Sequence, residues 1–263
     1  MRIWHQSMTV LDNLPGYEER LQSHSKKVLL PDTEVVMHGL RKDTYSSDYP
    51  GVDIAHRALF TLHSMQWFGF VWQAQQEGFD GFAVCTTIDP FLNELKTLVD
   101  IPVVGCAEAT YLTIPTLGER FGLVLFNELL APAYVEQIKS YKLLEHFVGV
   151  EASGLDFSKV LEGYRNPKNA IASFTTAAQK LIDRGAQVII PGEMPLNLLL
   201  ASEGIDRIEG VPIIDSLGLT LCTTQMRVQL KQSSNLAPNE KGWNHSKPNA
   251  RRLEEVLRYY GHI

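Results

Sequence analysis

The 263 residues are 44% hydrophobic and 21% charged, enough apolar material for a sizeable core in one large domain or two halves. A net charge of −6 offers no basic footprint for nucleic acid, and no apolar run reaches the roughly 18 residues that a membrane helix needs. Three widely spaced cysteines make no disulfide framework and the opening Met1-Arg-Ile-Trp-His-Gln has no apolar signal core, so a cytoplasmic protein with no membrane partner is expected.

In chain order, Arg2-Ile-Trp-His reads as a strand, and Pro15-Gly16-Tyr-Glu-Glu-Arg-Leu opens a helix-prone stretch, with proline where its missing N–H costs little. Residues 33–40 read as a second strand. Residues 41–53, rich in Tyr, Ser, Pro and Gly, read as a loop, placed to be mobile. A long helical segment over 54–77 is expected to bend around Gly69, with Phe60, Trp67, Phe68, Phe70 and Trp72 in core or interface. Strand 82–85, helix 90–98, strand 103–105, helix 108–117, strand 121–126, helix 133–142 and strand 147–150 follow. Residues 164–183 carry apolar side chains at helical spacing (Ile171, Phe174, Ala178, Leu181, Ile182), and Gly185 stands where a helix ends. Strand 188–190, helix 196–202, strand 211–214 and helix 217–232 come next. Beyond a linker that starts at Ser233, residues 248–260 form a last helix.

Strands alternate with helices almost throughout, and the strands are short and apolar. That pattern predicts an α/β fold with parallel sheets covered on both faces. Sites in such sheets lie beyond the carboxyl ends of the strands, where Cys85, Phe126-Asn127 and Glu193 fall.

Two stretches of the chain match. Gly78-Phe-Asp-Gly-Phe-Ala-Val-Cys85-Thr86-Thr87 precedes Ile101-Pro-Val-Val-Gly-Cys-Ala-Glu108, and Gly185-Ala-Gln-Val-Ile-Ile-Pro-Gly192-Glu193 precedes Val211-Pro-Ile-Ile-Asp215-Ser216. One strand end delivers a thiol and the other a carboxylic acid, which points to proton traffic on a small molecule held between two half-domains. A helix start near Pro90 and nearby N–H groups would lower the Cys85 pKa. Desolvation at the mouth of a buried strand would raise that of Glu193. Ser7, Thr9, Thr86, Thr87, Asn127 and Ser216 are candidate substrate anchors through short hydroxyl or amide groups, with turn and cap roles as their ordinary alternative. His5 and His56 are candidate acid/base helpers. The chain has no His-x-x-x-His, no Cys-x-x-Cys, no Asp-rich loop, no glycine-rich phosphate loop and no Gly-x-Ser-x-Gly. Neither a metal, a dinucleotide nor a serine-hydrolase mechanism is therefore expected.

The segments Asp80-Gly-Phe-Ala-Val-Cys85, Ile101-Pro-Val-Val-Gly-Cys-Ala-Glu108-Ala109, Gly118-Glu-Arg-Phe-Gly122, Gly185-Ala-Gln-Val-Ile-Ile-Pro-Gly192 and Val211-Pro-Ile-Ile-Asp215, in this order, resemble the aspartate/glutamate/hydantoin racemase superfamily, its hydantoin racemase branch most closely. The resemblance covers about residues 1–230. It implies two pseudo-symmetric Rossmann-like α/β lobes, no cofactor, and an active site in the interlobe cleft. On that basis residues 1–115 with 210–232 make an N-terminal-type lobe, 116–209 a second lobe, and 233–263 a C-terminal tail with a helix. In the racemases two cysteines on opposite sides of a stereocentre act as base and acid. Cys85 falls at the first position; Glu193 falls where the second cysteine is expected, in Pro-Gly-Glu where the pattern is Leu-Gly-Cys. The family's Asn-Pro-Asn-Thr segment is here His5-Gln6-Ser7-Met8-Thr9. A homo-oligomer is implied by the family and by the aromatic surplus over 60–72.

Three readings follow. The first is a cofactor-independent racemase or epimerase on a hydantoin-like or amino-acid-like substrate, with Cys85 and Glu193 exchanging the proton and Thr86, Thr87 and Ser216 holding substrate oxygens. The second is a hydrolase or lyase, for example one that desulfurises a thiohydantoin, with Glu193 activating water and Cys85 as nucleophile or acid. The third is a non-catalytic small-molecule binder. Function follows the site and not the fold.

Overall fold

A computed structural model describes residues 1–45, 47 and 49–263. Strands β1 (Arg2–Gln6), β2 (Glu34–His38), β3 (Gly81–Val84) and β4 (Val103–Gly105) run parallel in the order β2-β1-β3-β4. Strands β5 (Phe121–Leu125), β6 (Phe147–Ala152) and β7 (Val188–Pro191) form a second parallel sheet in the order β6-β5-β7. Beyond β7, Ile213 makes a parallel bridge to Ile189. It occupies the place that β4 holds in the first sheet, so the two sheets repeat one strand order. Strands β8 (Arg207–Ile208) and β9 (Val211–Pro212) pair as a small antiparallel ladder leading into that bridge.

Helices α1 (Pro15–Val28), α2 (Gly51–Ile54), α3 (Arg57–Ser64), α4 (Gln66–Gln76), α5 (Leu92–Leu98) and α6 (Cys106–Leu117) belong to the first half of the chain. Helices α7 (Ala131–Ser140), α8 (Phe157–Gly163), α9 (Pro167–Asp183) and α10 (Met194–Ser202) accompany the second sheet, followed by α11 (Ser216–Ser234) and α12 (Ala250–Tyr259). Each sheet has an apolar layer on either face. Ile3 and Ala83 pack with Leu21, Leu217 and Leu221 on one side of the first sheet, and Trp4, Phe82 and Val84 with Trp67 and Val71 on the other. This two-sided burial is why the strands read as unbroken apolar runs. In α9, Ala170, Phe174, Ala177, Ala178 and Leu181 recur at helical spacing and are buried. Gly185, at φ +91°, then turns the chain into β7.

Several sequence expectations shift. The helical segment over 54–77 breaks at Met65, between α3 and α4, rather than at Gly69. Gly69 lies within α4, and its bare Cα admits the C-terminal segment: a methyl group there would sit 2.2 Å from the His262 carbonyl oxygen. Arg41 Nη2 also donates to that carbonyl at 3.3 Å. Of the loop expected over 41–53, Ser46 and Asp48 lie outside the described residues, and α2 begins within it at Gly51. No element is expected over 157–163, where α8 forms with Asp156 as its cap, accepting the Lys159 N–H at 2.9 Å. Helix α11 packs on α6, β3 and β4 of the first sheet, whereas Ile213 bridges to the second. The segment from residue 210 thus crosses between the lobes rather than belonging wholly to one. Among the described residues no helix is long and apolar enough to cross a membrane.

Gly69→Ala should expel the C-terminal segment, seen as new protease cleavage between 250 and 263 and a lower Tm. In a chain ending at residue 259 the same change should be neutral, or stabilise by up to about 1 kcal/mol through helix propensity. An unchanged cleavage pattern in the full-length variant would contradict the docking.

Candidate active site

The segments that follow the carboxyl ends of β1, β3 and β7 converge on one cavity. Its wall includes Ser7, Thr9, Cys85, Thr86 and Thr87 from the first half, and Tyr134, Glu193 and Met194 from the second. Its volume is about 40 Å³, room for very few water molecules. An open outer cavity of about 790 Å³ adjoins it. Ile54, Phe60, Ile88 and Leu130 line both and form the partition between them. Phe60 is therefore a wall of the site as well as a packing residue.

Cys85 follows β3 and is 2% exposed. Its thiol does not gain the acidity that a helix N-terminus would confer, because α5 starts only at Leu92. Asp89 and Phe91, at φ +34° and +55°, turn the chain away in between. Burial pushes the thiol pKa well above its ordinary value, and the neighbouring Cys106 and Asp89 push the same way. The expectation of a lowered Cys85 pKa is thereby corrected.

Glu193 follows β7 and Gly192, is 4% exposed, and immediately precedes α10. Its carboxyl accepts the backbone N–H groups of Phe126 at 3.1 Å and Asn127 at 2.8 Å. Burial raises its pKa from 4.5 to about 8, and the two N–H groups only partly offset that rise. Of these two groups on the cavity wall, the carboxyl is therefore the first to ionise.

The other sequence candidates divide. Ser7 Oγ and Thr9 Oγ1 lie 2.6 Å apart, and the Thr9 N–H donates to Ser7 Oγ at 3.1 Å. Thr86 and Thr87 line the cavity, and Thr87 Oγ1 is hydrogen-bonded to the Tyr134 hydroxyl. Asn127 acts through its backbone N–H, while its side-chain Nδ2 donates to the Gly51 carbonyl at 3.2 Å. It thus ties α2 to the second half of the chain and is not part of the cavity wall. Ser216 also lies outside that wall: its N–H donates to Asn197 Oδ1 at 2.7 Å at the start of α11, where Asp215 caps the helix through Gly218 at 3.0 Å. His5 is buried in β1, and desolvation lowers its pKa to about 3, so it stays neutral; His56 is exposed at the start of α3. Neither lines the cavity. Among the described residues no three His, Cys, Asp or Glu side chains gather as a metal site would require.

Sequence reasoning missed Tyr17, Tyr49 and Tyr134, all on the wall. Tyr134 sits among core positions of α7 and carries no motif. Tyr49 stacks on Phe157 with ring centroids 4.1 Å apart, so the segment leading into α2 reaches across to the second half of the chain.

A family model described as Asp/Glu/Hydantoin racemase matches residues 17–221. The hydantoin racemase of Pseudomonas sp. (strain NS671) is 23% identical over 146 residues, 55% of this chain. The matched stretch spans 57% of that protein's length. Among solved structures, allantoin racemase from Klebsiella pneumoniae superposes with a TM-score of 0.75 at 19% identity, over 95% of this chain and 94% of that one. Allantoin racemase from Pseudomonas fluorescens gives 0.74 at 21% identity, over 95% and 97%. At these identities the structures establish the shared fold.

The raised Glu193 pKa has a consequence for stability. Below about pH 4.5 the carboxyl is protonated in both folded and unfolded chains; above it the unfolded chain releases the proton while the folded protein holds it until about pH 8. Stability from this group is thus present at low pH and lost as pH rises across that window. Wild type should lose ground to Glu193→Gln there by up to roughly 1.4 kcal/mol per pH unit, measured by urea unfolding. Parallel stability curves would contradict the assignment.

Proposed function

The chain belongs to the Asp/Glu/Hydantoin racemase family, and on that premise we propose that it is a cofactor-independent racemase or epimerase that moves a proton at a carbon next to a carbonyl. The observation that carries the proposal is that Cys85 and Glu193, from corresponding strand ends of two like sheets, line one cavity. Racemisation needs one base and one acid on opposite faces of a carbon acid. An ionised Glu193 takes the proton from one face, the electron pair passes into the adjacent carbonyl, and the Cys85 thiol delivers its proton to the other face. Glu193 is left protonated and Cys85 as thiolate, which is the starting state for the opposite enantiomer. Because the thiol is the weaker acid of the pair, the two directions begin from unequal populations.

The lining supports a neutral ring over a free amino acid. None of the described lining residues is Lys, Arg or His, so a substrate carboxylate would meet Glu193 with no cation to offset it. Met8, Ile54, Phe60, Ile88 and Met194 suit an apolar substituent. A hydantoin-like ring, acidified at its stereocentre by its own carbonyl, satisfies both conditions. The relatives named above lend no support to the hydrolase alternative.

Incubated in deuterium oxide with a 5-substituted hydantoin, the protein should exchange the α-proton with the ring intact. Racemisation started from the enantiomer that Glu193 deprotonates should rise with pH through about 8 as that carboxyl ionises. Cys85→Ala and Glu193→Gln should each lower racemisation by about 10²–10⁴-fold without unfolding the protein. Near-wild-type rates in either variant would overturn the assignment.

A further inference from the structure

The Tyr134 hydroxyl ties the two loops that carry Cys85 and Glu193 to each other. Tyr134 is 1% exposed on α7, and its hydroxyl meets two oxygens, the carbonyl of Gly192 and Oγ1 of Thr87. A carbonyl oxygen only accepts, so the single phenolic proton goes to Gly192. The bond between Tyr134 and Thr87 then has one proton left to use, the threonine's own, and Thr87 is its donor. Ionisation does not relax this arrangement, because burial, followed by the nearby Glu193 charge, pushes the phenol pKa well above its ordinary value. With its proton committed, Thr87 Oγ1 can only accept from whatever occupies the cavity.

The opposite hydrogen-bond role belongs to Ser7 and Thr9. Their hydroxyls share one hydrogen bond and own two protons, so the pair keeps one to give. An acceptor at Thr87 and a donor at Ser7–Thr9 match an N–H beside a C=O. They do not match an ester edge, which presents two acceptors.

We propose that Thr87, held as a hydrogen-bond acceptor by Tyr134, selects substrates with an N–H on the stereogenic carbon, so that the ring is a cyclic ureide or amide and not its oxygen isostere. Thr87 stands two residues from Cys85 and lines the same cavity, so its acceptor is assigned to the N–H beside the reacting carbon rather than to the one at the far edge of the ring. The inference rests on the racemase reading above and narrows its substrate class. Thr87 is the residue that touches the ring; Tyr134 is a positioning residue.

The test compares a 5-substituted hydantoin with the oxazolidine-2,4-dione of the same substituent, in which that N–H is replaced by O. Binding is measured by calorimetry and α-proton exchange by NMR. Wild type should bind the hydantoin about 10–100-fold more tightly, the scale set by one buried acceptor left without its partner. Thr87→Ser should keep the ratio and Thr87→Val should bring it near unity. Tyr134→Phe should narrow it, because the freed threonine proton can turn to the ring oxygen. Equal wild-type binding of the two rings, binding of neither, or a ratio that survives Thr87→Val would overturn the proposal. Exchange without selectivity sinks this inference alone. Selectivity without exchange sinks the racemase reading and leaves this one standing.

Discussion

A carboxyl group buried on the wall of a cavity of only about 40 Å³ is the constraint on which the site depends. Burial favours the protonated form of Glu193, while the N–H groups of Phe126 and Asn127 favour the ionised form and hold the carboxyl in place. Burial wins, but only far enough to put the group near neutrality, where a general base is most useful. The Cys85 thiol, pushed up by burial and by the neighbouring Cys106 and Asp89, stays the weaker acid. In the mechanism proposed above, an asymmetric pair of this kind divides the work by direction: the carboxyl ionises first, and the thiol becomes a base only after giving up its proton.

The sheets explain how the two groups come to line one cavity. Both repeat one parallel strand order, so corresponding strand ends deliver corresponding residues. Tyr134 fixes the loop after Cys85 relative to the loop before Glu193, and Tyr49 and Asn127 carry the segment around α2 across to the second half of the chain. The enclosing wall is mainly apolar, made by Ile54, Phe60, Ile88 and Leu130. The small volume behind it leaves little room for water around the two groups.

Much of this was legible in the sequence because it follows from local patterns. Short apolar runs ending in Cys85 and Glu193 announced parallel strands that bring a thiol and a carboxyl to one cavity, and Gly185 marked the end of α9 where its positive φ required it. What escaped was set by contacts distant in the chain. Gly69 looked like a hinge and is a landing place for His262. Cys85 looked like an activated thiol, but the left-handed turns at Asp89 and Phe91 keep the helix start away. Ser216 looked like an anchor because it follows a strand, yet it serves the start of α11. Tyr134 had no signal at all, since a tyrosine at a core position of a helix reveals nothing about where its hydroxyl ends.

The central claim is that Cys85 and Glu193 act on opposite faces of one carbon, and enantiomer-resolved proton exchange addresses it directly. Each pure enantiomer of a 5-substituted hydantoin would be held in deuterium oxide with wild type, Cys85→Ala and Glu193→Gln, and α-deuteration followed by NMR. Wild type should exchange both enantiomers. Each variant should retain slow exchange of one enantiomer without inversion, and the enantiomer retained should be opposite in the two variants, because each keeps only one base. Retention of the same enantiomer in both would place the two groups on one side of the substrate and contradict the account.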